Sequence, residues 1–147
     1  MKVKEVMTRD VKTLSPDISA KEAMDMLFDL QISGLPVVDE VGKLLGMFTE
    51  KDILKSIFPS YLTSVGSFVY AENPKGIKKK VAELNQLKVG DIMRKEVVAI
   101  DEDTTLCEVA HVIITRGVRR IPILDKTRKL VGIVAREDVV KELVRET

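Results

Sequence analysis

The chain contains little of what enzyme active sites and secreted folds are commonly built from. Its 147 residues include one cysteine, one histidine and no tryptophan, and aromatic residues make up 4%. A single cysteine excludes an internal disulfide. No Cys and His spacing typical of a metal site occurs, and no glycine-rich phosphate loop is present. We therefore predict a protein that is not an enzyme, without a metal or a catalytic cofactor.

Long apolar runs and an excess of one charge are also missing. No stretch approaches the ~20 apolar residues of a transmembrane helix, and the N-terminus lacks the apolar core of a signal peptide. Lys and Arg number 24 against 23 Asp and Glu, for a net charge of +1. Such a balance produces no long-range field to attract nucleic acid or an anionic membrane. These observations predict a soluble, cytoplasmic protein with neither membrane nor nucleic acid as partner.

The strongest positive feature is an internal repeat. Residues 1–55 align without a gap on residues 87–141, at a constant offset of 86, and thirteen of the 55 pairs are identical. Because solenoids need about three repeats, two copies instead predict two similar half-domains that share a core with pseudo-two-fold symmetry. A site formed at their junction is then expected twice, in imperfect copies.

Each copy has the pattern of a strand, a helix, two hairpin strands and a second helix, which predicts an α/β fold of two β-α-β-β-α repeats. Ser19, with Glu22 three residues later, predicts a capping box at the first helix. The predicted elements are Val11–Leu14, a helix from Ser19 to the Ser33-Gly34 break, Leu35–Val38, Leu44–Phe48 and a helix from about Thr49 to Ile57; then Val97–Ile100, Leu106–Thr115, a break at Gly117, Ile121–Leu124, Leu130–Val134 and Arg136–Val144.

The repeat also sets the predicted domain boundaries. Residues 1–57 form the first domain, 58–86 a linker and 87–147 the second domain. A short helix in the linker is predicted from the spacing of Ile77, Val81, Leu84 and Leu87. The linker is more aromatic than the rest of the chain, which predicts that it packs on the protein, through Tyr61, Phe68 and Tyr70.

Two groups that resemble catalytic residues have simpler explanations. The only histidine, His111, corresponds to Asp25 in the first copy, so we expect it on an exposed helix face. The acidic run Asp101-Glu102-Asp103 lies at a helix start, where negative charge is favourable.

The most informative motif is Gly46-Met47-Phe48-Thr49-Glu50-Lys51-Asp52, at a predicted strand-to-helix turn. A helix N-terminus offers free N–H groups to a phosphate, and Thr49 adds a hydroxyl. Asp52, one turn into the helix, is placed to accept from a ribose diol, as acidic residues do in dinucleotide folds. Gly46 allows a ligand or a backbone segment to approach closely.

Helix capping is the alternative explanation, because Thr-x-x-Asp is also a capping box with Thr49 as the N-cap. The second copy favours an additional role for the aspartate. There Ala135 replaces the capping threonine, yet Asp138 is retained, and an aspartate without its capping partner is less useful for capping alone.

The combined motifs resemble the cystathionine-β-synthase (CBS) domain family over both copies, so over nearly the whole chain outside the linker. The matching segments are V-M-T, V-K-T-L-S-P-D, I-S-G-L-P-V-V-D and G-M-F-T-E-K-D in the first copy, and I-M-R-K, V-V-A-I-D-E-D, V-R-R-I-P-I-L-D and G-I-V-A-R-E-D in the second. The resemblance implies a tandem CBS pair that binds adenosine-containing ligands in two clefts between the copies, dimerises, and regulates an attached or partner protein.

Carried over residue by residue, the resemblance implies that Asp52 and Asp138 hold two riboses, that Thr49 contacts a phosphate, and that Met47 of the same motif is also a ligand-binding residue. Arg136 supplies charge where Ala135 lacks the usual hydroxyl. Adenine in the Asp52 cleft would lie against Val98, Ala99, Arg119 and Arg120, and in the Asp138 cleft against Lys12, Thr13, Ser33 and Gly34. With a hydroxyl and two opposing arginines, the Asp52 cleft is expected to bind more tightly, although the arginines are equally suited to pairing with carboxylates.

The function implied is that of a stand-alone regulatory module, of energy-sensing type, that binds AMP, ADP or ATP as a homodimer and signals to a partner protein. The sequence does not distinguish these ligands from S-adenosylmethionine or NAD, and it does not identify the partner. Two alternatives stay open, a dimeric interaction scaffold with degenerate clefts and a nucleic-acid-binding CBS protein, the latter disfavoured by the net charge.

Overall fold

The structure is a computed structural model and describes residues 1–58 and 74–145. A 3-10 helix at Val3–Glu5 precedes the regular elements. These are, in chain order, α1 (Ala20–Leu30), β1 (Gly34–Val38), β2 (Leu44–Thr49), α2 (Glu50–Ile57), α3 (Pro74–Glu83), α4 (Val89–Ile92), β3 (Ile100–Asp101), α5 (Leu106–Arg116), β4 (Arg120–Leu124), β5 (Leu130–Ala135) and α6 (Arg136–Arg145).

The predicted α/β fold is confirmed, and most predicted elements end within one or two residues of those observed. The predicted linker helix corresponds to α3. The linker aromatics Tyr61, Phe68 and Tyr70 lie outside the described residues.

The first strand of each copy is shorter than predicted. In the second copy it contains two residues, as β3 pairs in parallel with β4 through Ile100 and Ile123. In the first copy only Leu14 forms a bridge, to Val37. A missing donor explains the difference. The Glu102 N–H donates to the Leu124 carbonyl at 2.9 Å, whereas Pro16 occupies the equivalent position in the first copy and has no N–H.

Helices α1 and α5 begin with the same type of cap. The Ser19 hydroxyl accepts from the Glu22 N–H at 3.1 Å, and Thr105 accepts from Glu108 at 3.3 Å, which satisfies one otherwise unpaired helix N–H in each. Helix α1 ends at Leu30, two residues before the predicted Ser33-Gly34 break would end it, because Gln31 already has a left-handed backbone with φ 55°.

The described chain forms two compact units. The C-terminal unit contains Met1–Lys12, Val38–Leu44 and Glu96–Thr147, and the central unit contains Thr13–Val37 and Leu45–Lys95. The prediction of one shared core is wrong, because each unit has its own cluster of buried apolar side chains. The largest buried side chain of the central cluster is Phe48, and the C-terminal cluster surrounds Ile121, Ile123 and Val134.

Each unit takes its opening segment from the other copy of the repeat. In the C-terminal unit, Thr8 of the first copy pairs antiparallel with Ile133 on β5. In the central unit, Arg94 of the second copy pairs with Met47 on β2, with N–H···O distances of 2.9 Å in both directions. Val3 and Met7 of the exchanged first segment belong to the C-terminal core. The compact units therefore do not coincide with the two copies in sequence.

Candidate functional site

The motif of the first copy forms a strand-to-helix turn in the central unit. Thr49 ends β2 and precedes α2 as its N-cap residue. The Oδ2 atom of Asp52 accepts from the Thr49 N–H at 2.9 Å and from the Thr49 hydroxyl at 3.3 Å. Asp52 is 7% exposed and is the one charged residue classed as buried in the described chain. The predicted cap is thus observed, and Oδ1 remains outside these two bonds.

The equivalent turn of the second copy is looser. Asp138 Oδ2 accepts from the Ala135 N–H at 3.4 Å, and its side chain is half-buried. This contact weakens the sequence-based inference that Asp138 has a role besides capping. Asp138 still caps α6 through a backbone N–H, which every residue except proline offers. Its retention opposite Ala135 is therefore not evidence by itself for a second role.

Gly46 serves a close approach of backbone. A Cβ built on Gly46 would lie 2.5 Å from the Arg94 carbonyl oxygen. At the equivalent Gly132 it would lie 2.5 Å from Met7 Sδ and 2.9 Å from the Thr8 carbonyl oxygen. Of the two predicted explanations for Gly46, a ligand or a backbone segment, the structure supports the backbone.

Ser33 and Gly34 lie beside the Thr49 turn. The Glu50 N–H donates to the Ser33 carbonyl at 2.9 Å. A Cβ on Gly34 would lie 2.7 Å from Thr49 Cγ2, so the missing side chain leaves space for the threonine. Ser33 and Gly34 thus lie together with the turn of Thr49 and Asp52, and the role in the cleft of Asp138 that the resemblance implies for them stays a prediction.

The second copy repeats this arrangement with different side chains. The Arg136 N–H donates to the Arg119 carbonyl at 2.8 Å, and Arg120 on β4 pairs with Ala135 on β5. All three arginines are exposed. Arg119 and Arg120 therefore lie beside the turn that carries Asp138, and the role in the cleft of Asp52 that the resemblance implies for them stays a prediction.

The remaining predicted site residues lie within or next to backbone segments that pair with a neighbouring segment. Met47 is 7% exposed, and its backbone pairs with Arg94. Thr13 is exposed and precedes the bridged Leu14, and Lys12 before it is exposed as well. Half-buried Val98 and Ala99 lead into β3.

Asp138 also borders a cavity of about 520 Å³ in the C-terminal unit. Its other walls are residues at the end of the 3-10 helix and residues of α6, including Glu5, the following Val6, Val140 and Val144. A volume of this size is typical of small-molecule sites, which commonly measure ~300–1,000 Å³. The three arginines do not line this cavity.

The other polar groups that the sequence singled out lie outside the two turns. His111 is exposed, as predicted. Asp103 of the acidic run accepts from Lys4 at 2.8 Å. This hydrogen bond, with the charge of the ammonium, lowers the pKa of the Asp103 carboxyl and raises the pKa of Lys4. Asp103 thus binds a lysine of the opening segment instead of serving only the helix dipole.

Two properties of the described residues bear on the class of site. Within 1–58 and 74–145, no group of three or more His, Cys, Asp or Glu side chains is arranged to hold a metal ion. None of the helices described here has the length and hydropathy needed to cross a bilayer.

Sequence reasoning missed that Gly34 and Thr49 form a neighbouring pair, and that Arg120 and Ala135 are the equivalent pair. The alignment at offset 86 contained the signal. Both positions change together between the copies. The first copy has a glycine next to a threonine, and the second has an arginine next to an alanine. Compensating changes of volume are typical of side chains that touch across a hairpin.

Sequence comparison finds relatives over nearly the full chain. The chloroplastic CBS domain-containing protein CBSX1 of Arabidopsis thaliana is 32% identical over 147 residues, which cover 95% of this chain and 62% of the relative. The inosine-5'-monophosphate dehydrogenase of Methanocaldococcus jannaschii is 34% identical over 95% of this chain and 23% of the enzyme. The chain therefore spans less than two thirds of either relative.

Solved structures of similar fold include CBS pairs. The CBS-pair protein CBSX2 from Arabidopsis thaliana superposes with a TM-score of 0.78 at 24% identity, covering 99% of this chain and 95% of that one, and supports the fold alone. The CBS domain pair of protein MJ0100, in complex with 5′-methylthioadenosine and S-adenosyl-L-methionine, superposes with a TM-score of 0.68 at 27% identity over 100% and 98% of the chains. The CBS domain family model matches residues 3–59 and 89–145, and since these matches include both strand-to-helix turns, the chain belongs to the CBS domain family as a tandem pair.

Proposed function

We propose that this chain is a regulatory module that binds adenosine-containing ligands of the AMP, ADP or ATP type and passes the bound state to a partner protein. In this proposal the ligand is a signal and is not chemically changed. The ribose acceptors are Asp52 and Asp138, each at the start of a helix that follows a hairpin strand. Arg136 contributes to phosphate binding, and Thr49 does so by turning its hydroxyl, which donates to Asp52 in this structure, towards the phosphate.

The observation that carries the proposal is the pair of equivalent turns, Thr49 to Asp52 and Ala135 to Asp138, in a chain similar along its whole length to a CBS pair solved with two adenosine compounds. The geometry at Asp52 supports it. Oδ2 accepts both bonds from Thr49, which holds the carboxylate in one orientation and leaves Oδ1 available to a diol. A charge-assisted hydrogen bond to such an oxygen is among the stronger ones in proteins.

Calorimetric titration with AMP, ADP, ATP and S-adenosylmethionine tests the proposal, together with mass spectrometry of small molecules released from the denatured protein. We expect Asp52→Ala to weaken adenosine-ligand binding by about 1.5–3 kcal/mol, the contribution of a hydrogen bond to a charged group. The variant also loses a helix cap, which costs about 1 kcal/mol of folding stability.

Ser19→Ala is the control for lost capping, because it removes the N-cap hydrogen bond of α1 and should lower stability without changing affinity. Unchanged affinity in a folded Asp52→Ala variant would remove Asp52 from the site. Absence of binding by every adenosine compound would leave the interaction scaffold as the better explanation.

The proposal includes several finer points. The adenine contacts are the segments that contain Thr13, Ser33, Val98 and Arg119, with domain boundaries at 1–57 and 87–147. The protein acts as a homodimer in the cytoplasm. Support for the homodimer comes from apolar side chains that remain exposed in the described chain, among them Phe28 at 62%, Ile114 at 80%, Leu54 at 56% and Val140 at 54%.

A further inference from the structure

The two strand-to-helix turns differ in charge although their backbones are equivalent. In the central unit the turn contains Ser33, Gly34, Glu50, Lys51 and Asp52, so one cation against two carboxylates leaves a net charge of −1. In the C-terminal unit the equivalent residues are Arg119, Arg120, Arg136, Glu137 and Asp138, where three cations against two carboxylates leave +1. Ligands of different charge are therefore favoured at the two turns.

A change of side-chain volume accompanies the change of charge. Gly34 has no side chain, and a Cβ there would meet Thr49 Cγ2 at 2.7 Å. In the second copy the small Ala135 lies across the hairpin from Arg120. Side chains paired across two strands share one face of the sheet, so the arginine occupies the face from which the threonine hydroxyl has been lost. One hydroxyl has been exchanged for a guanidinium.

The guanidinium groups are available for an external anion. Arg119, Arg120 and Arg136 are exposed, and the ion pairs within the described part of the chain include none of the three. The 2.8 Å bond from the Arg136 N–H to the Arg119 carbonyl holds the two backbones together. Guanidinium groups bind phosphate oxygens in a bidentate manner. This observation answers the question left open by the sequence, since neither arginine of the Arg119-Arg120 pair is neutralised by a carboxylate of the described chain.

We propose that the turn of Arg119, Arg120, Arg136 and Asp138 is selective for nucleoside polyphosphates, while the turn of Ser33, Gly34, Thr49 and Asp52 does not favour a longer phosphate chain. The inference rests on the proposed function and specifies the ligand class of each turn. AMP carries about two negative charges at neutral pH and ATP about four. The additional charges gain attraction at the positive turn and not at the negative one.

The experiment compares AMP with ATP by calorimetry in two backgrounds, each retaining one ribose acceptor. In Asp52→Ala we expect ATP to bind at least about tenfold more tightly than AMP, which corresponds to one additional charge-assisted contact. In Asp138→Ala we expect the two nucleotides to differ by less than about threefold. Raising the salt concentration should weaken ATP binding more in the first background, because exposed charges are screened.

Arginine variants in the Asp52→Ala background identify the groups responsible. Arg120→Ala should weaken ATP binding about tenfold and AMP binding much less. Arg120→Lys should restore part of the loss, since it retains charge without the bidentate fork. Arg116→Ala removes an exposed arginine at the end of α5 and should leave both affinities unchanged.

The failures of the two proposals are distinguishable. Equal AMP-to-ATP ratios in the two backgrounds, or an Arg120→Ala variant that binds ATP like its parent, would overturn the charge selectivity and leave adenosine binding intact. Failure of the wild-type protein to bind any adenosine compound would overturn both. Melting curves of each variant establish that it is folded.

Discussion

At the scale of single residues, each copy has one non-glycine residue with a left-handed backbone where the other copy has glycine. Two positions of the repeat have a left-handed backbone in both copies. The first is glycine only in the second copy, with Gln31 at φ 55° and Gly117 at φ 63°. The second is glycine only in the first copy, with Gly42 at φ 91° and Arg128 at φ 69°. A residue with a Cβ is disfavoured there by roughly 1–2 kcal/mol.

We expect Gln31→Gly and Arg128→Gly each to raise the free energy of unfolding by about 0.5–1 kcal/mol. The gain is smaller than the steric penalty because glycine also increases the entropy of the unfolded chain. Urea unfolding monitored by circular dichroism measures both. The reverse changes, Gly117→Gln and Gly42→Arg, serve as controls and should destabilise by a similar amount.

No atom lies within 4 Å of a Cβ built on either control glycine, outside the chain neighbours, so backbone conformation alone is tested. A destabilising Gln31→Gly would show that the glutamine side chain contributes more than its backbone conformation costs.

At the scale of elements, the hairpins are completed by segments distant in sequence, and the glycines at the contacts determine how close these approach. On β2, Gly46 faces the carbonyl of Arg94, and on β5, Gly132 faces Met7 and the carbonyl of Thr8. A methyl group added at Gly132 can displace the flexible Met7 side chain more easily than one added at Gly46 can displace the hydrogen-bonded backbone of Arg94. The two contacts are therefore unequal although their sequences are equivalent.

Gly46→Ala is accordingly expected to destabilise the protein by about 2–3 kcal/mol and Gly132→Ala by about 1–2 kcal/mol, within the range for overpacking. Denaturant unfolding measures both. In a Met7→Ala background, which is itself destabilised by the lost core side chain, the further loss from Gly132→Ala should be smaller than in the wild type, since Met7 Sδ is the nearest atom to the added methyl. Equal losses at the two glycines would show that the Met7 side chain does not relax.

At the scale of the whole molecule, the helix faces that are not used by the two cores remain apolar at repeat-equivalent positions. Helix α1 packs against α2, and α5 against α6. The exposed apolar residues of these helices include two equivalent pairs, Phe28 with Ile114 and Leu54 with Val140. Exposed apolar surface that recurs in this way is typical of an interface, and a homodimer covers the same patch on both partners.

If the proposed homodimer forms, light scattering at micromolar concentration should give a particle of twice the 16.4 kDa chain mass. Ile114→Lys and Val140→Lys should shift it to the monomer, because each buries a charge in an apolar contact. Thr115→Lys adds the same charge one residue away on α5 and should leave the dimer intact. A monomeric wild-type protein would contradict the assembly without affecting the ligand proposals.

The sequence by itself determined the element order, the two-copy architecture and the capping of α2. These features depend on contacts between residues a few positions apart, such as that of Thr49 with Asp52, or on hydrophobic periodicity. Both can be recognised within a short segment of sequence. Even the shortened first strand has a local cause in Pro16, which lacks the donor that Glu102 provides.

Tertiary structure alone decided which distant segments meet. The exchange that pairs Thr8 with Ile133 and Arg94 with Met47 joins residues about 50 or more positions apart, and either copy's opening segment has the sequence to fill either place. For the same reason, the sequence did not predict that Arg119 and Arg120 lie beside the turn of Asp138. A repeat makes both copies equally suitable partners in sequence, and only the packing of the folded chain removes that degeneracy.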